Sequence, residues 1–75
     1  MEIEYLDNDR NDRLFRIIEQ CGEAMRAIGK AGRFGLTDPG PEGTNAQLIL
    51  DELIDLSNAI EAILPDIHEE LDRQA

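Results

Sequence analysis

TNAQLILDELIDLSNAIEAIL (residues 44–64) decides the fold. Leu48, Ile49, Leu50, Leu53, Ile54, Leu56, Ala59, Ile60, Ile63 and Leu64 recur at helical spacing and cover well over half of a helix circumference. Thr44 reads as the N-cap, and Gln47 three residues on completes a capping box. A helix this apolar must be buried on more than one side, which a single partner helix cannot do. One residue breaks the pattern. Projected at about 100° per residue, Glu52 falls inside the apolar arc, between Leu48 and Ala59 on one side and Leu56 and Ile63 on the other. A lone carboxylate there is costly unless it is paired, protonated or bound to a cation.

Working outward, the segment before it is rich in helix breakers. Gly35, Pro39, Gly40, Pro41 and Gly43 exclude a helix or a central strand, so 34–44 reads as a loop. Upstream, Leu14, Ile17, Ile18, Cys21, Ala24, Met25 and Ile28 form an apolar stripe with charged residues largely opposite. This predicts a helix over 9–33, ended by a left-handed Gly35. Gly22, Gly29 and Gly32 inside it suggest close approach of another backbone or a ligand. Residues 1–8 read as an irregular lead-in. Ile3, Tyr5 and Leu6 are a candidate apolar patch, and Asp7, Asn8 or Asp9 a candidate cap. Downstream, Pro65 is expected to end the second helix and start a short third one over 65–73, laying Ile67 and Leu71 back on the body. The expected fold is one all-α domain over 1–75. Its two long helices are antiparallel because the loop between them is short, and they oligomerise into a four-helix-bundle-type assembly.

Composition narrows the function classes. At 75 residues the core is marginal for a monomer, and one cysteine cannot staple it. A metal and a homo-oligomeric partner, dimer or tetramer, are the remaining stabilisers. The net charge of −10 argues against polymeric nucleic acid, which needs a surplus of Lys and Arg. It leaves room for a nucleotide bridged to carboxylates by cations. No apolar run is long enough to span a membrane and no basic-then-apolar leader is present. A soluble cytoplasmic protein is the expectation. Cys21 reads as a small core residue.

Acidic residues cluster on both helices. Glu19 and Glu23 are four apart, and Glu52 and Asp55 three apart, so each pair shares a helix face. Antiparallel pairing brings the two groups level. Four carboxylates form an oxygen-rich trap for Mg²⁺ or Mn²⁺. The missing His at i+3 counts against a di-iron centre. Read alone, Glu19 and Glu23 are equally a solvated face paired with Arg16, Arg26 or Lys30. Lys30 and Arg33 are equally ordinary helix-end cations, and Phe34 a loop anchor.

The segments EQCGEAMRAIGKAGRFG (residues 19–35) and TNAQLILDELIDL (residues 44–56) resemble the MazG-like all-α nucleoside triphosphate pyrophosphohydrolases, above all the small phage-type members. The likeness covers roughly residues 13 to 63. It implies Mg²⁺-dependent cleavage of NTPs or dNTPs to the monophosphate and pyrophosphate. It also implies metal ligation and catalysis by Glu19, Glu23, Glu52 and Asp55, with Lys30 and Arg33 as phosphate contacts and Phe34 as a base contact. Gln20 stands where the family has a second Glu, so one ligand position carries an amide oxygen without charge. Family members commonly continue into a further cationic helix, whereas here only Arg73 follows the core. Two alternatives stay open. One is a nucleotide-binding protein of the same fold that sequesters without cleaving. The other is a structural helical module.

Overall fold

The computed structural model describes residues 8–41 and 43–75. The lead-in patch of Ile3, Tyr5 and Leu6 and the Asp7 cap lie outside the described residues. Helix α1 spans Asn8–Phe34, and helix α2 spans Asn45–Gln74. Between them, β1 (Pro39–Gly40) and β2 (Gly43–Thr44) form a two-rung antiparallel ladder, Pro39 against Thr44 and Gly40 against Gly43. Among the described residues the protein is all-α apart from this ladder.

The chain chemistry explains the hairpin. Gly35 ends α1 at φ 91°, with its N–H donating to the Ala31 carbonyl at 2.7 Å. This is the left-handed cap that only glycine adopts without strain. Gly43 takes φ 118° at the start of β2. Thr44 caps α2 through its hydroxyl, which accepts from the Gln47 N–H at 3.3 Å. The capping box is only half made, because the Gln47 amide turns outward and donates to Asp51 at 2.8 Å. Asn45 pins the two helix ends together. It is 2% exposed, and its Nδ2 donates to the Gly35 carbonyl at 2.8 Å while its N–H donates to the Asp38 carbonyl at 3.1 Å. Asn45→Ala removes the side-chain bond to the Gly35 carbonyl, which keeps only the longer bond from the Asp38 N–H at 3.4 Å, a loss of about 0.5–1.5 kcal/mol. At roughly 4–8 °C per kcal/mol for a domain of this size, thermal unfolding by circular dichroism should show a clear drop in Tm. An unchanged Tm would mean that the ladder alone holds the hairpin.

Pro65 does not end the second helix. Instead of a helix over 45–64 and a short one over 65–73, α2 runs unbroken through it to Gln74. A proline inside a helix removes one backbone bond and costs roughly 3 kcal/mol. Ion pairs to α1 hold the turns beyond it. Arg13 clasps Asp66 with two bonds of 2.7 and 3.0 Å, and Arg10 reaches Glu70 at 3.5 Å. The Arg13 guanidinium holds the Asp66 carboxyl below its ordinary range. Arg73 adds contacts to Glu69 and Glu70 within the helix.

The helix–helix seam is narrow. Its buried apolar residues are Ala24, Ala27 and Ala31 from α1 and Ala59 and Ile63 from α2. Small side chains let the backbones approach, but they remove little apolar surface from water. Of the expected α1 stripe only Ala24 is buried. Ile17 and Cys21 are half-buried, and Leu14, Ile18, Met25 and Ile28 are exposed. The seam thus runs along one edge of the stripe rather than its centre. The glycines meet nothing within the chain either, since a Cβ at Gly22, Gly29 or Gly32 would stand in open space.

Projected at about 100° per residue, many of the exposed residues fall on two broad faces, while Phe15, Leu50 and Ile54 stand on the outer backs of the helices. Leu14, Ile18, Met25 and Ile28 occupy one flank of the α1 seam, and Glu19, Glu23 and Lys30 the other. In α2, Leu53, Ile60, Leu64, Ile67 and Leu71 occupy one flank, and Asp51, Asp55 and Asn58 the other. Because the helices are antiparallel, their apolar flanks open to the same side. The hairpin therefore has one apolar face and one charged face. Among the described residues, no helix is long and apolar enough to cross a membrane.

Candidate functional site

The charged face carries the residues singled out for metal and phosphate. Register follows from the cross-helix bonds, which set Arg13 against Asp66 and Asn45 against Gly35. In that register Glu52 comes level with Ala27, and Gln20 with Ala59. A pocket of about 240 Å³ opens there, lined by Glu23, Arg26, Ala27, Lys30, Leu48 and Glu52. A second pocket of about 230 Å³ shares Lys30 and Leu48 and extends under the hairpin loop to Gly40, Pro41, Gly43, Thr44 and Asn45. A third, on the outer side of α1, shares Glu23 and Arg26 and adds Ile18, Glu19 and Gly22. Each is smaller than the roughly 300–1,000 Å³ of ordinary small-molecule sites.

Each side chain has a definite position in this strip. Glu52 is half-buried on the seam and has no hydrogen-bond or ion-pair partner among the described residues. Glu23 is exposed and pairs with Arg26 at 3.1 Å. Glu19 is exposed on the next outward turn. Asp55 is exposed on the charged side of α2, one turn from Glu52, and lines none of these pockets. Gln20 points into the seam, and its Oε1 is buried without a hydrogen-bond partner. Lys30 is half-buried between the two adjoining pockets. Arg33 stacks over Phe34, with its guanidinium carbon 5.9 Å from the ring centroid. Phe34 is exposed, and neither residue lines the pockets.

The four-carboxylate trap is not closed within one chain. Among the described residues, no group of three or more acidic, histidine or cysteine side chains is placed to hold a metal. The reason is angular. Glu19 and Glu23 leave α1 from its outer flank, whereas Glu52 leaves α2 from the seam. Glu23 and Glu52 do meet at one pocket. That pair suits Mg²⁺, which is often held by one or two carboxylates with water and phosphate oxygens completing the shell. The orphaned Gln20 oxygen lies on the same seam, level with Ala59 and outside the pocket that Glu23 and Glu52 share. The sequence reading did not single out Arg26 as a pocket residue. Its signal was present, since Arg26 sits at i+3 from Glu23 and four residues before Lys30, on one flank.

Comparison with protein-family models, with curated proteins and with solved structures finds no match to this chain.

Proposed function

We propose that this protein is a metal-dependent nucleoside triphosphate pyrophosphohydrolase, converting an NTP or dNTP to the monophosphate and pyrophosphate. One observation carries the reading. Glu52 is a half-buried carboxylate without a partner, on the wall of a pocket whose other charged groups are Glu23, Arg26 and Lys30. Desolvating a carboxylate is unfavourable unless a cation meets it. Two carboxylates beside two cations in one cleft suit a metal–polyphosphate ligand, because the acids take the metal and the bases take phosphate oxygens.

Glu23 and Glu52 hold the metal in this reading, with Glu19, Asp55 and the Gln20 oxygen completing the set. When bound, Mg²⁺ or Mn²⁺ neutralises triphosphate charge and acidifies a bound water. Water adds to the α-phosphorus, and the bond to the α–β bridging oxygen breaks to release pyrophosphate. Glu19 orients that water. Lys30 and Arg26 grip phosphate oxygens, with Arg33 further along the same helix. Phe34 offers an aromatic face to the base. The reading includes a cytoplasmic homo-oligomer, dimer or tetramer, of four-helix-bundle type, located in the host cytoplasm if a phage encodes it. A second reading, a nucleotide-binding protein that sequesters without cleaving, is favoured by the neutral amide at Gln20, which removes one negative charge from the ligand set.

The deciding experiment measures binding of a panel of NTPs and dNTPs with and without Mg²⁺, together with pyrophosphate release. Mg²⁺-dependent binding with release is the expected result. Binding without release replaces the hydrolase by the sequestering protein. Absence of any nucleotide binding overturns both.

A further inference from the structure

We propose that the pocket under the hairpin loop is the nucleoside subsite of the cleft beside it, so that a bound nucleotide lies along α2 with its phosphates toward Glu52 and its base against Pro41 and Leu48. This assignment rests on the nucleotide reading above and adds to it the orientation of the ligand and the wall that holds its neutral end.

The two pockets are in line. Glu52, Leu48 and Thr44 follow one another four residues apart on α2, and Glu23, Ala27 and Lys30 run beside them in the opposite sense on α1. Both pockets share Lys30 and Leu48. The strip from Glu52 to Thr44 is about 12 Å long at roughly 1.5 Å per residue. Its chemistry changes along that length. Two acids stand at one end, Arg26 and Lys30 in the middle, and Gly40, Pro41 and Leu48 at the other. A metal-bound polyphosphate carrying a flat, neutral ring has its groups in the same order.

The reverse orientation is disfavoured by the start of α2. Free N–H groups at a helix start attract phosphate, but here they are occupied. Asn45 donates to the Asp38 carbonyl at 3.1 Å, Ala46 to the Leu36 carbonyl at 2.9 Å and Gln47 to the Thr44 hydroxyl at 3.3 Å. Among the described residues of the lining, Lys30 is the only ionisable side chain, and it stands on the border with the cleft. The loop end therefore suits a neutral group. It also offers that group a donor and an acceptor. The Thr44 hydroxyl accepts from Gln47, and Asn45 Nδ2 donates to Gly35. That leaves the Thr44 hydroxyl proton and Asn45 Oδ1 without partners among the described residues.

The size fits one part of a ligand. At about 230 Å³, the pocket is below the volume that usually holds a whole small molecule. Its room depends on glycine at position 40. A Cβ there would stand 3.8 Å from Lys30 Nζ and 3.4 Å from the Gly43 carbonyl oxygen, so a larger side chain would narrow the pocket from the loop side. Phe34 lines neither pocket, and its ring can meet only the outer edge of a base seated under the loop.

The test measures binding to the full chain in Mg²⁺ by calorimetry. The ligands are inorganic triphosphate and nucleoside triphosphates whose α–β bridging oxygen is replaced by methylene, so that no cleavage intervenes. In the parent a nucleotide should bind on the order of tenfold or more tighter than inorganic triphosphate, because its base leaves water under the hairpin. Gly40→Val should abolish that preference. Residue 40 does not take a left-handed φ, and valine suits a strand, so the variant should keep the ladder. Amide resonances of the parent give a readout that needs no variant. The nucleotide should shift Gly40, Gly43 and Thr44 much further than inorganic triphosphate does. Three outcomes overturn the subsite while the metal–phosphate reading stands: inorganic triphosphate binding as tightly as the nucleotides, a folded Gly40→Val that keeps the nucleotide preference, or nucleotide-specific shifts that spare the hairpin and gather at Phe34. Binding of neither ligand removes the nucleotide reading and the subsite with it.

Discussion

Mg²⁺ is expected to raise the melting temperature of the parent, and Glu52→Gln to remove most of that gain. A ligand that binds only the folded state at about 100 times its Kd stabilises by about 2.7 kcal/mol. In a domain of this size that corresponds to a rise on the order of 10 °C. Glu52 is the informative position because its two candidate roles have opposite signs. Without metal it is a half-buried carboxylate lacking a partner. Removing its charge is then neutral or slightly stabilising, since the neutral amide is cheaper to desolvate. With metal, the same substitution deletes a charged ligand. The parent and the variant should therefore be similar in chelator and diverge as Mg²⁺ is added, at one protein concentration because assembly also shifts Tm. A variant that responds to Mg²⁺ like the parent would remove Glu52 from the ligand set.

Gln20→Glu should act in the reverse sense. The Gln20 Oε1 is already buried without a donor, so a carboxylate there adds an unpaired charge to the seam. In chelator the variant should melt lower than the parent. In Mg²⁺ it should gain, because a further negative charge near the cation strengthens its binding. A tenfold fall in the Mg²⁺ dissociation constant corresponds to about 1.4 kcal/mol. If the chain is a hydrolase weakened by its neutral amide, pyrophosphate release should rise with metal affinity, since a better-held cation better stabilises charge on the triphosphate. Tighter metal with no release, in both the parent and the variant, would favour the sequestering protein. Unchanged metal affinity would show that the Gln20 side chain does not face the metal.

Much of the hairpin was legible because its signals are local. Apolar periodicity marks both helices, Gly35 ends the first, and Thr44 starts the second through a hydroxyl placed by chain geometry alone. Glu52 was legible for the same reason, since its angle on the helix depends only on its position in the chain. The error at Pro65 was the neglect of distant partners. Proline reads as a break from local cost, and nothing near it in the chain reveals that Arg13, more than fifty residues away, holds Asp66.

The α1 stripe shows the same limit from the other side. Leu14, Ile18, Met25 and Ile28 are apolar by sequence, yet the chain buries the alanines beside them. Periodicity states that a face avoids water without saying which surface covers it. The acidic cluster divides likewise. Spacing alone put Glu19 with Glu23 and Glu52 with Asp55. The rotation of one helix against the other decided that Glu23 and Glu52 share a pocket with Arg26 and Lys30, while Asp55 stands outside it. Sequence by itself determined the helices, their caps and the angle of each side chain about its own axis, because those depend on neighbours within one or two turns. Only the tertiary structure decided which edges meet, which ion pairs carry α2 through Pro65 and which carboxylates converge, because each depends on the relative rotation of two helices, set by close packing of small residues at the seam.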